Sequence, residues 1–333
     1  MSPIAQWRCQ DIDEQSEALP GWEQEYYQLT CGKFEGQVAT ARSSKVTLIR
    51  ETTNQGLHES VVAPQGQVVF AFALNAEPNL YVDRKRLDSQ SLLVMEGGCS
   101  YDFRTTGFVE LFGLAVDTDF LAEHTQFKNP ELLKNARREK VLTLEAVTGN
   151  TLRNYWTMMS KTLQSGQPYW PDDTPLEIVA KNALDNIWGA LNAVDPDRRK
   201  LESDGASDRQ DRIVKRAIHF MRSNINAEFS ITDVCAVTHV SQRTLQYHFE
   251  KSLHISPQQY LKALRLNLAH RMIREINFAA KSKAQTKNIG DIAAHCGYQH
   301  SSRFAGDYKR LFGELPSESM MNILQNSDFH GLM

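Results

Sequence analysis

Between residues 20 and 116, apolar residues fall in short runs broken by turn residues, the rhythm of strands rather than helices. The runs are Phe34 to Ala41, Lys45 to Glu51, Leu57 to Val62, Gln67 to Leu74, Leu80 to Asp83, Ser91 to Met95 and Phe108 to Val116. Ser43-Ser44, Asn54-Gln55-Gly56, Pro64-Gln65-Gly66, Glu77-Pro78-Asn79 and Gly97-Gly98 separate them. About seven strands at this spacing predict a sandwich or small barrel. Within Gln67–Leu74, alternation puts Val68, Phe70, Phe72 and Leu74 on one face and Val69, Ala71 and Ala73 on the other.

From Asp117 the period changes to that of helices. Asp119 to Gln126 reads as a short helix, and Asn129-Pro130 opens another. Leu142 to Ser165 is a longer amphipathic stretch with Leu152, Trp156, Met159 and Leu163 on one stripe, ended by Gly166-Gln167-Pro168. Thr174-Pro175 caps a further helix, with Pro at its first position. Its apolar residues Leu176, Ala180, Ala183, Ile187, Leu191 and Val194 are spaced 4, 3, 4, 4 and 3 apart. This is a seam suited to a partner helix, and the expectation is self-association through it. The charged, Gly-containing stretch 195–208 reads as a linker.

Beyond the linker a pattern occurs twice. Ile231, Asp233, Val234 and Ala236 match Ile289, Asp291, Ile292 and Ala294 at an offset of 58 residues. Leu245, Phe249 and Pro257 match Phe304, Tyr308 and Pro316 at 59, so the second copy has one more residue in its turn. A short helix, a turn and a second helix with buried residues four apart make a helix-turn-helix unit. Asp211 to Ser223 forms an amphipathic helix before the first unit, with Ile213, Val214, Ala217, Ile218 and Met221 facing inward. A long helix from Ser256-Pro257 to about Ile276 joins the units, with Leu261, Leu264, Leu268, Met272 and Ile276 as its stripe.

The outward residues define the candidate chemistry. Ser230 caps the first helix and Ser241 the second. With Leu245 and Phe249 facing the core, Gln242, Arg243, Gln246, Tyr247 and Glu250 face out. Arg can grip guanine O6 and N7 with two hydrogen bonds, and Gln can grip adenine likewise. Gln242, Arg243, Gln246 and Tyr247 are therefore candidate base readers, with Ser241 at the backbone. In the second unit Phe304 and Tyr308 face inward; Ser301, Ser302, Arg303, Gly306 and Asp307 face outward. Ser301, Ser302 and Arg303 are candidate base contacts, and Lys309 and Arg310 approach the DNA backbone. Gly306 supplies no side chain and Asp307 repels phosphate, so this face reads as the weaker one. The basic stretch Phe278 to Asn288, with Lys281, Lys283 and Lys287, is either a phosphate-touching loop or a solvated connection.

Charge supports this division. The net charge of −3 conceals +6 over residues 206–333, where 17 Lys and Arg face 11 Asp and Glu, and −9 over residues 1–205. Only the C-terminal part is suited to a polyanion. The five cysteines (Cys9, Cys31, Cys99, Cys235, Cys296) show no C-x-x-C spacing, and reduced thiols in a cytoplasmic protein are expected. No apolar run approaches 18 residues, and Met1 to Gln10 lacks the pattern of a secretory signal. Residues 1–205 contain only His58 and His124 and no H-x-H, so neither a metal centre nor another cofactor is expected, and no catalytic constellation is evident. Phe70, Phe72, Tyr81, Phe103 and Phe112 either line an apolar effector pocket or simply form the core.

The stretch Asp211–Pro316, about a third of the chain, resembles the C-terminal domain of the AraC/XylS family of bacterial transcription regulators. The resemblance rests on Ser241-Gln242-Arg243-Thr244-Leu245-Gln246, Leu253-His254-Ile255-Ser256-Pro257, Leu264-Arg265-Leu266-Asn267-Leu268-Ala269 and Ile292-Ala293-Ala294-His295-Cys296-Gly297-Tyr298. Phe304, Tyr308-Lys309-Arg310-Leu311-Phe312-Gly313 and Pro316-Ser317 complete it. It implies base contacts at Arg243, Gln246 and Tyr247 and at Ser301, Ser302 and Gly306, the last usually a larger polar residue. The connection after the long helix is longer than the family norm and is similar to that of regulators of the ethanolamine-operon type; the usual Tyr-Arg after the final Pro-Ser is absent. The resemblance also implies a cupin-like N-terminal effector and dimerisation domain.

The expected fold is α+β. Residues 1–194 form an N-terminal domain, β-rich over 20–116 and helical over 117–194; 195–208 link it to an all-α DNA-binding domain over 209–333, with helix-turn-helix units at about 230–250 and 289–310. The expected function is a promoter-binding activator acting as a homodimer on double-stranded DNA, with no membrane. RNA polymerase and a small-molecule effector stand open as further partners. A regulator controlled by abundance or a protein partner is the alternative, and a DNA-repair enzyme fused to a DNA reader is a remote one.

Overall fold

The structure, a computed structural model, describes residues 4–76, 79–125, 128–166, 175–193, 205–280 and 288–326. These residues form two compact units: one holds residues 4–26 and 34–193, the other Tyr27–Lys33 and residues 205–326.

The first unit is built on two antiparallel sheets. The larger one has the order β1 (Ile4–Cys9), β3 (Gly36–Arg42), β4 (Val46–Thr53), β11 (Val109–Asp117), β6 (Gln67–Ala76), β9 (Ser91–Glu96) and β12 (Val141–Thr143). The smaller one has the order β2 (Glu23–Gln28), β5 (Leu57–Val62), β10 (Ser100–Thr105), β7 (Leu80–Val82) and β8 (Lys85–Arg86). Helix α1 (Ile12–Glu17) follows β1; α2 (Thr118–Thr125), α3 (Pro130–Glu139), α4 (Ala146–Ser165) and α5 (Leu176–Asn192) follow β11.

The larger sheet is buried on both faces, and β6 shows why. Val68, Phe70, Phe72 and Leu74 share a core with the helices, where Trp156 of α4 meets Phe112 at 5.5 Å between ring centres. Val69, Ala71 and Ala73 join a second core with Leu57, Val61, Leu80, Val82, Tyr101 and Phe103 of the smaller sheet. The alternation expected for this strand is therefore real. It sends the bulky side chains to the helices and leaves small ones between the sheets.

The structure corrects several expected boundaries. Strand β10 alternates Tyr101 and Phe103 with polar residues, and that polarity hid it. The stretch from Leu142 does not open as a helix: Val141–Thr143 pairs with β9, and α4 starts at Ala146. Pro175 is the extended cap before α5, not its first helical residue. Helix α6 (Gly205–Ser223) starts inside the expected linker, whose residues 195–204 lie outside the described ones, as does Val194.

Tyr27–Lys33 belongs with the C-terminal helices, although it lies within the region read as N-terminal. Tyr27 enters the core around α6, and its ring lies between the guanidinium groups of Arg222 and Arg271, at 4.4 and 4.6 Å. The buried Asn267 amide accepts the Gln28 backbone N–H and donates to its carbonyl, both at 3.0 Å. The Gln28 side chain donates to Gly32 O and Leu311 O, both at 2.7 Å. Gly313 has φ +77°, and a Cβ there would stand 2.9 Å from Lys33 N, so glycine lets this segment approach.

The remaining helices are α7 (Ile231–Thr238), α8 (Gln242–Leu253), α9 (Pro257–Ala280), α10 (Ile289–His295), α11 (Ser301–Phe312) and α12 (Pro316–Asn326). Helix α9 serves two cores rather than the single stripe expected. Leu261 and Leu264 pack with α6–α8, while Ala263, Leu266, Ala269 and Ile273 pack with α10 and α11. Among the described residues no helix is long and apolar enough to cross a membrane.

Candidate nucleic-acid interface

Both helix-turn-helix units start with the same local chemistry. At the head of α7 the Ser230 backbone N–H donates to the Asp233 carboxylate at 2.8 Å, and the Ser230 hydroxyl donates to it at 2.7 Å. These bonds hold the Asp233 carboxyl below its ordinary range. At α10, Asp291 N–H donates to the Asn288 amide oxygen at 2.9 Å and the Asn288 N–H donates to Asp291 at 3.2 Å. The repeated aspartates are thus the third residues of two capping boxes.

The turns differ. Three residues, with His239 at φ +57°, separate α7 from α8. Five separate α10 from α11, and Gly297 at φ +78° makes the bend; a Cβ there would come 3.3 Å from the Arg265 guanidinium carbon. The second turn is longer by two residues rather than the one expected: the 58-to-59 offset supplies one, and α10 ends one residue earlier than its counterpart α7.

Helix α8 is anchored by Leu245 and Phe249, both fully buried, with Phe249 edge-on to Tyr260 at 5.7 Å. Its cap is Ser241, whose hydroxyl accepts the Thr244 N–H at 3.1 Å. The burial of one stripe forces the other outward. Gln242, Arg243, Gln246 and Tyr247 are exposed, and Tyr247 keeps 58 % of its surface open. Gln246 donates to Glu250 at 2.9 Å, which sets its amide along the helix. A polar, donor-rich face at the start of a capped helix is the geometry that enters a major groove.

Helix α11 is anchored by Phe304 and Tyr308, and the Tyr308 hydroxyl bonds His270 Nδ1 at 2.7 Å and Ser319 at 2.9 Å. Ser301, Ser302, Arg303, Gly306, Lys309 and Arg310 are exposed. Asp307 is not outward as expected. Its side chain is 11 % exposed, pairs with Lys262 of α9 at 3.1 Å and accepts the Tyr298 hydroxyl at 3.5 Å. Its charge is already answered inside the domain, so this face is less hostile to phosphate than its sequence implies. Lys281, Lys283 and Lys287 lie outside the described residues.

Two further expectations fail in the first unit. The seam of Leu176, Ala180, Ala183, Ile187 and Leu191 is at most 5 % exposed and lies in the core against the larger sheet. Its spacing reflects packing within the unit, and none of these five side chains is left for a partner. The five aromatic residues do not meet in one pocket. Phe70, Phe72 and Phe112 face the helices, and Tyr81 lies on the other face of β7 from Leu80 and Val82. Phe103 alone lines the cavity between the sheets, together with Trp22, Gln24, Glu51, Glu59 and Val61. Glu51 and Glu59 were missed, although a signal existed: Leu57, Glu59 and Val61 alternate, placing a carboxyl where an apolar residue belongs.

The profile of a protein family described as a helix-turn-helix domain matches residues 234–321. The chain is 29 % identical over 111 residues to the "Probable thc operon regulatory protein" of Rhodococcus erythropolis, covering 33 % of this chain and 32 % of that one. It is 33 % identical over 97 residues to the "HTH-type transcriptional activator RhaR" of Pectobacterium carotovorum, covering 29 % and 31 %. A solved structure of a probable AraC family transcriptional regulator from Rhodopseudomonas palustris is 27 % identical, covering 34 % of this chain and 97 % of that one, with a TM-score of 0.30. The match thus spans about a third of the length of these curated relatives. Residues 234–321 thus match a helix-turn-helix domain, and the C-terminal third of this chain is similar to the corresponding part of these transcription regulators.

Proposed function

We propose that the whole chain is a cytoplasmic, sequence-specific transcription regulator, an activator that binds promoter DNA as a dimer and responds to a small ligand. One observation carries the DNA reading: α8 exposes Gln242, Arg243, Gln246 and Tyr247 on one polar face over a fixed apolar anchor. Arg243 and Gln246 read base edges; Ser241, Lys309 and Arg310 hold phosphates, with Lys281, Lys283 and Lys287 as further phosphate contacts; Ser301, Ser302 and Arg303 position the second helix.

Helix α9 joins the pair: Leu261 and Leu264 pack against the first unit, while Ala263 and Leu266 pack against the second and Lys262 pairs with its Asp307. In this reading the two recognition helices enter successive major grooves on one side of the duplex. Pairing of two subunits and contact with RNA polymerase belong to the reading through the family. The activator sense follows the name of a relative. The first unit is the effector domain in this reading, and the cavity between its sheets supports a ligand over control by abundance alone. A ligand acts by differing affinity for two arrangements of the chain.

The test is selection of bound sequences from a random DNA pool with the purified full chain, followed by titration of the selected site against random DNA. A common site bound at least about a thousandfold more tightly than random DNA is expected. Equal affinity for both would overturn sequence-specific recognition. Sedimentation of the complex reports whether two subunits occupy the site.

A further inference from the structure

The cavity between the two sheets is lined mainly by apolar residues, yet two carboxyls and an unmet amide oxygen stand on its wall. Glu59 points inward from β5, with Leu57 and Val61 on the same face, and is only 7 % exposed. Its carboxyl has no hydrogen-bond or ion-pair partner among the described residues; burial and the neighbouring Glu51 push it well above the usual carboxylate range. Glu51, from β4, accepts Gln15 Nε2 at 2.8 Å and the Tyr26 hydroxyl at 2.9 Å through one oxygen. Gln24 donates to Tyr26 at 2.8 Å, which leaves its buried Oε1 without a partner. No Lys, Arg or His is among the lining residues.

Two carboxyls and an amide oxygen around an apolar space are a poor arrangement for an empty core. An unpaired buried carboxyl must either hold its proton or find a cation. The neighbouring small residues Ala71 and Gly113 keep the space open, and Trp22 and Phe103 offer aromatic surfaces that suit a cation. The cavity holds about 50 Å³, room for roughly four water molecules, so its ligand is small.

We propose that this cavity binds a small organic ammonium ion, its head held by Glu59, Glu51 and Gln24 Oε1 and its short apolar body against Val61 and Val69. The proposal rests on the reading of the chain as a ligand-modulated regulator and names the ligand class. A carboxylate ligand meets no cationic side chain and two carboxyls on this wall, and a neutral alcohol brings no charge to answer them.

Calorimetry and thermal shift on the full chain test this with n-butylammonium, 1-butanol and butyrate at matched concentrations. Butylammonium is expected to bind roughly tenfold or more tightly than 1-butanol, and butyrate not at all, as charge-assisted bonds exceed neutral ones. Glu59→Gln keeps the shape and is expected to remove most of that preference; Ala71→Leu fills the cavity and abolishes binding of both. Equal binding of butylammonium and 1-butanol, or of butyrate, overturns the proposal, and this comparison on the unaltered chain stands even where a variant fails to fold. An undiminished preference in folded Glu59→Gln also overturns it. Butylammonium binding that leaves DNA affinity unchanged supports the cation site and overturns ligand control. No butylammonium binding by a chain that still recognises its DNA overturns the cation site alone.

Discussion

Helices α8 and α11 bury equivalent pairs, Leu245 with Phe249 and Phe304 with Tyr308, yet expose different surfaces. The first exposes Arg243, Gln246 and Tyr247; the second exposes two serines, Arg303 and the bare backbone of Gly306. Shared burial fixes how each helix stands in its unit. In the proposed reading the outward residues then decide how much sequence it can read, and these are free to diverge because they carry no core. The comparison also shows how a charge can be silenced: Asp307, on the same helix as Gly306, is turned inward to Lys262.

The largest expected effect comes from removing the proposed base reader. Arg243→Ala should cost about 1–3 kcal/mol of binding to the selected site and much less on random DNA. A uniform loss on both DNAs would reduce Arg243 to a phosphate contact and erase the distinction between the helices. Lys262→Met should leave Asp307 with only the Tyr298 hydroxyl, costing about 1 kcal/mol in stability by denaturant titration. It should also weaken binding to every DNA; unchanged affinity would mean that the Lys262–Asp307 pair has no part in DNA approach.

Gly306→Ala should stabilise the domain by about 1 kcal/mol, since a Cβ there meets nothing within 4 Å and helix propensity gains. Its affinity for DNA should stay the same, whereas Gly306→Lys should raise affinity for all sequences and steepen the salt dependence. A stability loss in Gly306→Ala would show that the glycine has a packing role. Arg303→Ala is expected to have the smallest effect, below about 1 kcal/mol and equal on selected and random DNA, read by fluorescence anisotropy. Loss confined to the selected site would make α11 a second reader.

The two helix-turn-helix units were legible because their signals are local. Ser230 with Asp233, the Ser241 cap, and the four-residue spacing of Leu245 and Phe249 all act within about one helical turn. Alternation along β6 was legible for the same reason. The stripe from Leu176 to Leu191 was equally clear as a stripe, but its periodicity carries no record of what covers it. The larger sheet covers it. The inward turn of Asp307 was hidden because Lys262 lies 45 residues away.

Order, period and caps of most elements, the twofold pattern in the C-terminal third and the separation of charge were thus set by chemistry between near neighbours and readable along the chain. The partner of each apolar face, the docking of Tyr27–Lys33 on Asn267 and the meeting of Glu51 with Glu59 were set by contacts between residues far apart. Such contacts form only when strands pair and layers stack, because burial depends on the surface that arrives from elsewhere and not on the segment that receives it.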